Sequence, residues 1–398
     1  MDVSPASDVA PRDEAELAAF VADSAAARRA LRVVGGGTRL PVFAFAPGVT
    51  LTTRDLRGIV TYEPGELTLI ARAGTPVDEI EATLAAQGQA LAFEPMDHRL
   101  LLGGTGTPTI GTPTIGTPTI GTPTIGGVLA ANVCGPRRVQ AGAARDHLLG
   151  VRFVDGQGRV IKNGGRVMKN VTGMDLGKLL AGSFGTLGVL TQVALKTLPV
   201  AESRLTLAFP GVSARQAVEI FCAALGTPCE VSGAAFLNGT AWLRVEGLAG
   251  QVAHRRDRLA ALFRGRPVEV LDDAATRGLW RDLRDVRHFA DVAGAVWRIV
   301  VKPTDAPAVL DALAPLGGRS SLDWGGGLIW HVGPGGADAV RRAVRQAAAA
   351  GHATLVRGDP ATGGPVFQPQ PPGVAALSAA MRRTFDPAGI LNPGLMAG

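Results

Sequence analysis

The chain has 398 residues, 46% hydrophobic and 19% charged, a globular balance with room for two separate cores. Its net charge of +6 comes from arginines dispersed along the chain, with only five lysines and 19 aromatics, so a nucleic-acid partner is not expected. No stretch approaches the roughly 18 apolar residues that span a bilayer, no basic-then-apolar leader opens the chain, and Cys134, Cys222 and Cys229 lack the spacing of disulfide, zinc or iron–sulfur sites. The expected setting is cytoplasmic, with any membrane association made through a partner subunit.

After a loose tail over residues 1–12, the segment 13–29 carries Leu17, Phe20 and Val21 at helical spacing, with Asp13 as its N-cap. A strand, Leu31–Val34, runs straight into Gly35-Gly36-Gly37-Thr38-Arg39. Residues 65–73 alternate as a strand, and Pro76 opens a helix over 77–87 that Gly88 ends. Residues 128–132 read as the start of a helix. Residues 151–154 and 160–161 flank Asp155-Gly156-Gln157-Gly158 as a hairpin, and 189–198 is a strand closed by Pro199.

Between 106 and 125 the pentapeptide Gly-Thr-Pro-Thr-Ile occurs four times in tandem. Proline every fifth residue excludes a helix, and an odd period sends successive isoleucines to opposite faces of a strand, so an extended loop is expected. A five-residue unit is also too short to bury the face of a solenoid repeat. We read it as duplication of one ancestral copy, the last one, Gly121 to Ile125, being the functional one.

Beyond residue 200 the glycine clusters cease. Strands over 241–245 and 298–301 alternate with alanine-rich helices over 307–313 and 337–349, the pattern of one sheet with helices on one side. Residues 363–372 form a Pro/Gly-rich return, and 374–385 a helix leading back to the first domain.

Glycine-rich turns let backbone N–H groups approach the phosphates of a large anionic ligand without Cβ interference. Four such segments occur: Gly35-Gly36-Gly37-Thr38-Arg39; Thr124-Ile125-Gly126-Gly127, with Asn132, Gly135, Gly142 and Asp146 behind it; Gly182 to Gly188, including Gly185; and Asn392-Pro393-Gly394. The first is neither a GxGxxG fingerprint nor a phosphate loop ending in Gly-Lys-Ser/Thr, and each could alone be an ordinary turn.

In this order and at these separations the set resembles the FAD-binding domain of the vanillyl-alcohol oxidase (PCMH-type) superfamily. Within it, Gly135-Pro136-Arg137-Arg138, Arg145 to Gly150 and Val167 to Gly173 resemble the FAD-binding subunit of bacterial glycolate oxidase. The resemblance implies an α+β fold: a two-lobed FAD-binding domain over residues 1–200, a smaller α+β domain over 201–372, and a C-terminal helix and tail, 373–398, packed back on the FAD domain. It implies that the residues named in the four segments are cofactor-binding: Gly35 to Gly37 and Thr38 at the pyrophosphate, Thr124 to Gly127 and Asn132 at the flavin edge, Gly182 to Gly188 beside adenine and ribose. Asp146 is open to a second reading, as a local cap. The first loop holds no attachment histidine, so FAD is expected to be noncovalent, and Cys134 is read as a small packed residue. Where the family carries a basic residue after Asn-Pro-Gly this chain has Leu395, so no terminal ionic contact is expected there.

The resemblance further implies a small 2-hydroxy acid substrate, a catalytic flavoprotein partner and an iron–sulfur partner that takes the electrons. No metal is expected, because His98, His147, His254, His288, His331 and His352 stand apart in sequence, and no catalytic residue is identifiable. Trp297-Arg298 with Lys302, and Asp323-Trp324 to Trp330-His331, either place cations near a carboxylate or pack a core. A stand-alone flavin oxidoreductase and an assembly subunit with a vestigial flavin site remain as alternatives.

Overall fold

The computed structural model describes residues 8–40, 44–103, 121–165, 173–359 and 362–396. The first three repeat copies and most of the Val167 to Gly173 motif lie outside these residues.

Asp13 accepts a hydrogen bond from the Glu16 N–H and so caps helix α1 (Glu14–Ala26), whose Leu17 and Val21 are buried. Strand β1 (Leu31–Val34) then pairs in parallel with β2 (Val49–Thr52). β3 (Ile59–Glu63) turns into β4 (Thr68–Arg72); Pro64 and Gly65 make a 3-10 turn, so the strand begins later than the alternation alone predicts. Next come α2 (Val77–Ala85), with Pro76 before it, and β5 (Gln89–Leu91). Helix α3 (Ile125–Ala131) starts before residue 128 because the Thr124 hydroxyl accepts from the Gly127 N–H and caps it. The short α4 (Arg138–Ala141) precedes the hairpin β6 (Leu148–Val154) and β7 (Val160–Gly164), then α5 (Leu176–Leu180) and the long β8 (Val189–Pro199). These strands form an antiparallel sheet in the order β3-β4-β8-β6-β7, with β5 added to β8. Its core joins Leu69, Phe153, Val193 and Leu195 to Ile80, Leu84, Ile125 and Leu129 of the overlying helices.

The second sheet is built from β9 (Ser203–Pro210), β10 (Gly233–Leu237), β11 (Thr240–Gly247), β12 (Glu269–Leu271), β13 (Ala295–Val300), β14 (Arg319–Asp323), β15 (Leu328–Gly333) and β16 (His352–Arg357). Their order is β12-β9-β11-β10-β14-β15-β13-β16. Helices α6 (Ala214–Leu225) and α7 (Ala249–Leu262) cover one face over Phe209 and Leu243. Helices α8 (Asp273–Arg284), α9 (Ala306–Leu313) and α10 (Ala337–Ala347) complete the set before the C-terminal helix, and α9 and α10 cover the same face over Trp297, Ile299 and Leu355. The expectation that all helices lie on one side needs a correction. Helix α8 lies on the opposite face, where Trp280 and Leu283 pack on Ala235 of the sheet. The i, i+4, i+7 spacing of Thr276, Trp280 and Leu283 gives α8 its buried stripe.

That second face also meets the first lobe. Val296, Trp330, Val332 and Val356 of the sheet pack with Met96 and Leu101 from the segment after β5. Buried ionic bonds cross the same boundary: Arg244 donates to Glu94 at 2.8 Å, and Arg137 donates to Glu246 at 2.8 Å. Helix α11 (Pro372–Phe385) returns the chain to the first lobe, where Phe385 packs on Phe153 and Ile390 and Leu391 join Leu17, Leu31 and Leu51 in one cluster.

Candidate functional site

Strand β1 delivers Gly35, Gly36 and Gly37 to one wall of a cleft that opens to solvent. Thr38, Arg39, Thr124, Gly126, Gly127, Ala130, Phe184, Gly185 and Gly188 line it as well. Segments far apart in sequence therefore meet, and the contact between them is close. The Gly121 N–H donates to the Gly36 carbonyl at 2.8 Å, and a Cβ on Gly36 would overlap the Thr122 carbonyl, as one on Gly35 would overlap the Thr124 hydroxyl. A Cβ on Gly126 would stand 2.7 Å from that of Ala73. The final repeat copy is thus a structural wall of the cleft, anchored on its other side where Val77 N–H donates to Pro123 and Ile125 N–H to Thr75.

Glycine at 36 is accordingly required by chain-to-chain approach. At Gly37 it is required by the backbone, whose φ of +69° is left-handed. The N–H groups of Gly36, Gly37 and Thr38 donate to no described acceptor. A side-chain-free wall whose N–H groups meet no acceptor among the described residues fits the pyrophosphate of a dinucleotide such as FAD.

The other residues singled out from sequence lie off this wall. Ile125 is fully buried in the first-lobe core. Asn132 ends α3 in a left-handed conformation, and its carboxamide oxygen accepts from the Arg145 N–H at 3.2 Å. Gly135 accepts from Trp324 Nε1 at 3.1 Å, which ties the loop to the second lobe. Gly142 ends α4, and Asp146 accepts from the Ala143 N–H at 2.8 Å, so it closes the turn Ala144–His147 and does not cap the residues 146–150, which run into β6. Gly182 donates to Leu129. Asn392 is buried behind the cleft: its Oδ1 accepts from the Val33 N–H at 2.7 Å, and its Nδ2 donates to the carbonyls of Val33 and Phe184. Leu395, in place of a basic residue, packs in the second-lobe core with Leu40.

Sequence reasoning missed Phe45 and Thr53, which line the cleft without any motif to mark them. Between the lobes gathers a group that includes Arg298 and the Asp323-Trp324 to Trp330 segment singled out from sequence. His98 stands edge-on to Trp330, with ring centres 5.6 Å apart. Arg138 and Arg298 both stack on Trp324, at 4.6 and 5.1 Å from its ring centre, and Arg138 donates to the buried Cys134 sulfur at 3.1 Å. Asp323, one residue before Trp324, is buried beside Glu94 and Arg244; burial pushes its carboxyl up to about 7. Among the described residues, no three His, Cys, Asp or Glu side chains are grouped to hold a metal, and no helix is long and apolar enough to cross a membrane.

The FAD binding domain family matches residues 5–117 and 111–164. The chain is 34% identical over 350 residues to the glycolate oxidase subunit GlcE of Escherichia coli (strain K12), covering 88% of this chain and 87% of that one. It is 26% identical over 201 residues to the glycolate oxidase subunit GlcD of Bacillus subtilis (strain 168), covering 50% of this chain and 38% of that one. In fold it resembles an alkyldihydroxyacetonephosphate synthase, with a TM-score of 0.70 at 16% identity, covering 97% of this chain and 76% of the other. The α+β architecture and the FAD cofactor expected from sequence are both borne out.

Proposed function

The chain belongs to the family of FAD-binding glycolate oxidase subunits, and from that premise we propose that it is the FAD-binding subunit of a glycolate-oxidising complex. In this reading it works beside a catalytic flavoprotein subunit and passes electrons from a small 2-hydroxy acid to an iron–sulfur partner. The chain is an FAD-dependent oxidoreductase of the glycolate oxidase kind; the particular partners, the substrate and the direction of electron flow are the proposal. Residues 1–200 serve as the FAD lobe, 201–372 as the lobe facing substrate or subunit, and 373–398 as the returning segment.

The observation that carries the reading is the meeting of Gly35 to Thr38, Gly121 to Gly127 and Gly185 to Gly188 around one cleft. FAD, when bound, supplies a two-electron acceptor. The chain's own residues do the rest: Gly36, Gly37 and Thr38 offer N–H groups to phosphate, Thr124 fixes the start of α3 by capping it, and Asn392 holds Val33 and Phe184 in place from behind. Attachment is noncovalent in this reading.

Removing hydrogen from a 2-hydroxy acid also requires a base for the hydroxyl proton, and such a group contributes on the order of 100-fold or more. No group of that kind is identified on the cleft wall. The lone chain is therefore expected not to turn over glycolate at a useful rate. The test is dye reduction by glycolate with the purified, FAD-loaded chain, before and after addition of its catalytic and iron–sulfur partners. Activity that needs the partners supports the reading; full activity of the chain alone overturns it in favour of a stand-alone oxidoreductase.

A further inference from the structure

Arg39 is the one charged residue among the described lining of the cleft, and all three of its guanidinium nitrogens are buried without a hydrogen-bond partner. Carboxylates stand near it, but each is engaged elsewhere. Asp97 is held by Arg99 through bonds of 2.6–3.0 Å. Asp285 accepts from Arg284 at 2.8 and 3.0 Å and from the Asp97 N–H at 2.9 Å.

His98 neighbours Arg39, and both of its ring nitrogens are likewise buried and unpartnered. Burial first, then the Arg39 cation, with Arg298 and Arg284 adding to it against Asp97, lower its pKa to about 3. The ring is therefore neutral and presents one N–H with no acceptor. Arg298, on the same side of the group, stacks on Trp324 and pairs with no carboxylate among the described residues; burial holds its pKa down at about 10.

Buried donors without acceptors are rare, and a desolvated cation is stabilised by an anion placed beside it. We propose that Arg39, His98 and Arg298 form an anion pocket between the two lobes that takes the carboxylate of a small organic acid. This rests on the functional reading above and supplies the place where the acid is held. A planar guanidinium matches a carboxylate through paired N–H bonds, and the indole of Trp330 beside Met96 and Leu101 leaves apolar walls suited to a short carbon skeleton. The phosphates of FAD are the other source of negative charge. They have their own donors at Gly36 to Thr38, whereas His98 and Arg298 sit at the second-lobe side.

The probe is oxalate, a carboxylate with no C–H bond to oxidise. The FAD-loaded full chain is titrated with it by tryptophan fluorescence, and flavin absorbance per chain and melting temperature are recorded in parallel. Expected are saturable binding by the native protein and at least about a 10-fold loss of affinity in Arg39→Gln and in Arg298→Gln, with flavin content retained in Arg298→Gln. Without ligand, Arg39→Gln should melt no lower than the native chain, since an unpaired buried cation has been removed, and oxalate should no longer raise its melting temperature. Unchanged oxalate affinity in both variants overturns the pocket. So does loss of flavin in Arg39→Gln while Arg298→Gln keeps native oxalate affinity, because the anion is then the cofactor's phosphate. A native chain that takes no FAD yet binds oxalate through these residues sinks the cofactor reading and leaves the pocket standing.

Discussion

The carboxamide of Asn392 donates to the carbonyl of Phe184 at 2.7 Å, across 208 positions of sequence. Through Val33 it also grips strand β1, so one buried side chain in the tail ties together two walls of the FAD cleft. Asn392 has a φ of 44°, which glycine also tolerates, so Asn392→Gly removes the side-chain bonds without adding backbone strain. Each buried group left unpaired costs about 1–3 kcal/mol. A drop in unfolding free energy of roughly 2–4 kcal/mol, with weaker flavin retention, is expected in denaturant titrations. An unchanged midpoint would show that the tail is not a strut.

Gly36 tests the cleft from its other wall. A valine there overlaps the Thr122 carbonyl, so the last repeat copy has to leave its seat against β1. The purified Gly36→Val protein should be colourless and should not recover flavin absorbance on dialysis against FAD. Native protein should be yellow and release its flavin into the supernatant on acid precipitation. Retention of normal flavin by the variant would mean that the close approach is dispensable.

Much of this cleft was legible in the sequence because its chemistry is written in glycine, which marks close backbone approach wherever it clusters. The segments at Gly35, Gly126 and Gly185 do meet. What sequence does not carry is which neighbour demands the glycine: at Gly36 it is the Thr122 carbonyl, on a repeat that looked like mere duplication. Strands and helices were legible where a cap or a proline marked them, as at Asp13 and Pro76. The position of α8 was not, because its stripe of Thr276, Trp280 and Leu283 says that one side is buried without saying against which face of the sheet. The part played by the side chains of Arg39, already marked by its glycine segment, and of His98 was hidden for a related reason. His98 belongs to no spacing pattern, and the significance of both side chains lies in their lack of described partners, which only packing discloses.

The repeat gives a prediction in which three copies and the fourth part company. Gly121 to Ile125 bonds to Gly36, Val77 and Thr75, and that copy is kept when residues 106–120 are deleted. Loop closure depends only logarithmically on length, so the shorter loop should change stability by about 1 kcal/mol or less. Flavin content and melting temperature should stay near native. Because the four copies are identical, deleting any three of them gives this same protein, whose one remaining copy takes the seat against Gly36. If the shortened protein loses flavin, the extra copies have a role beyond duplication.

Asp323 gives the fold a pH dependence of definite sign. Burial raises its carboxyl to about 7, with Glu94 adding to the rise and the Trp324 N–H and Arg244 opposing it. In the unfolded chain the same group titrates near the ordinary aspartate value of about 3.9. Between those two values the unfolded state has released its proton while the folded state keeps it, so this group lowers stability as pH rises, and the loss levels off above about 7. Asp323→Asn retains an oxygen for the Trp324 N–H, which now donates to Asp323 at 2.7 Å, and removes the titration. Relative to the native chain, the variant should be about as stable at pH 4 and should gain progressively up to neutrality, by roughly 2–4 kcal/mol in all. Denaturant midpoints measured for both proteins at half-unit steps from pH 4 to 8 read this difference directly. A gap that stays constant across the range, or that closes as pH rises, would place the Asp323 carboxyl in its ordinary range and remove it from the account of the interlobe charge.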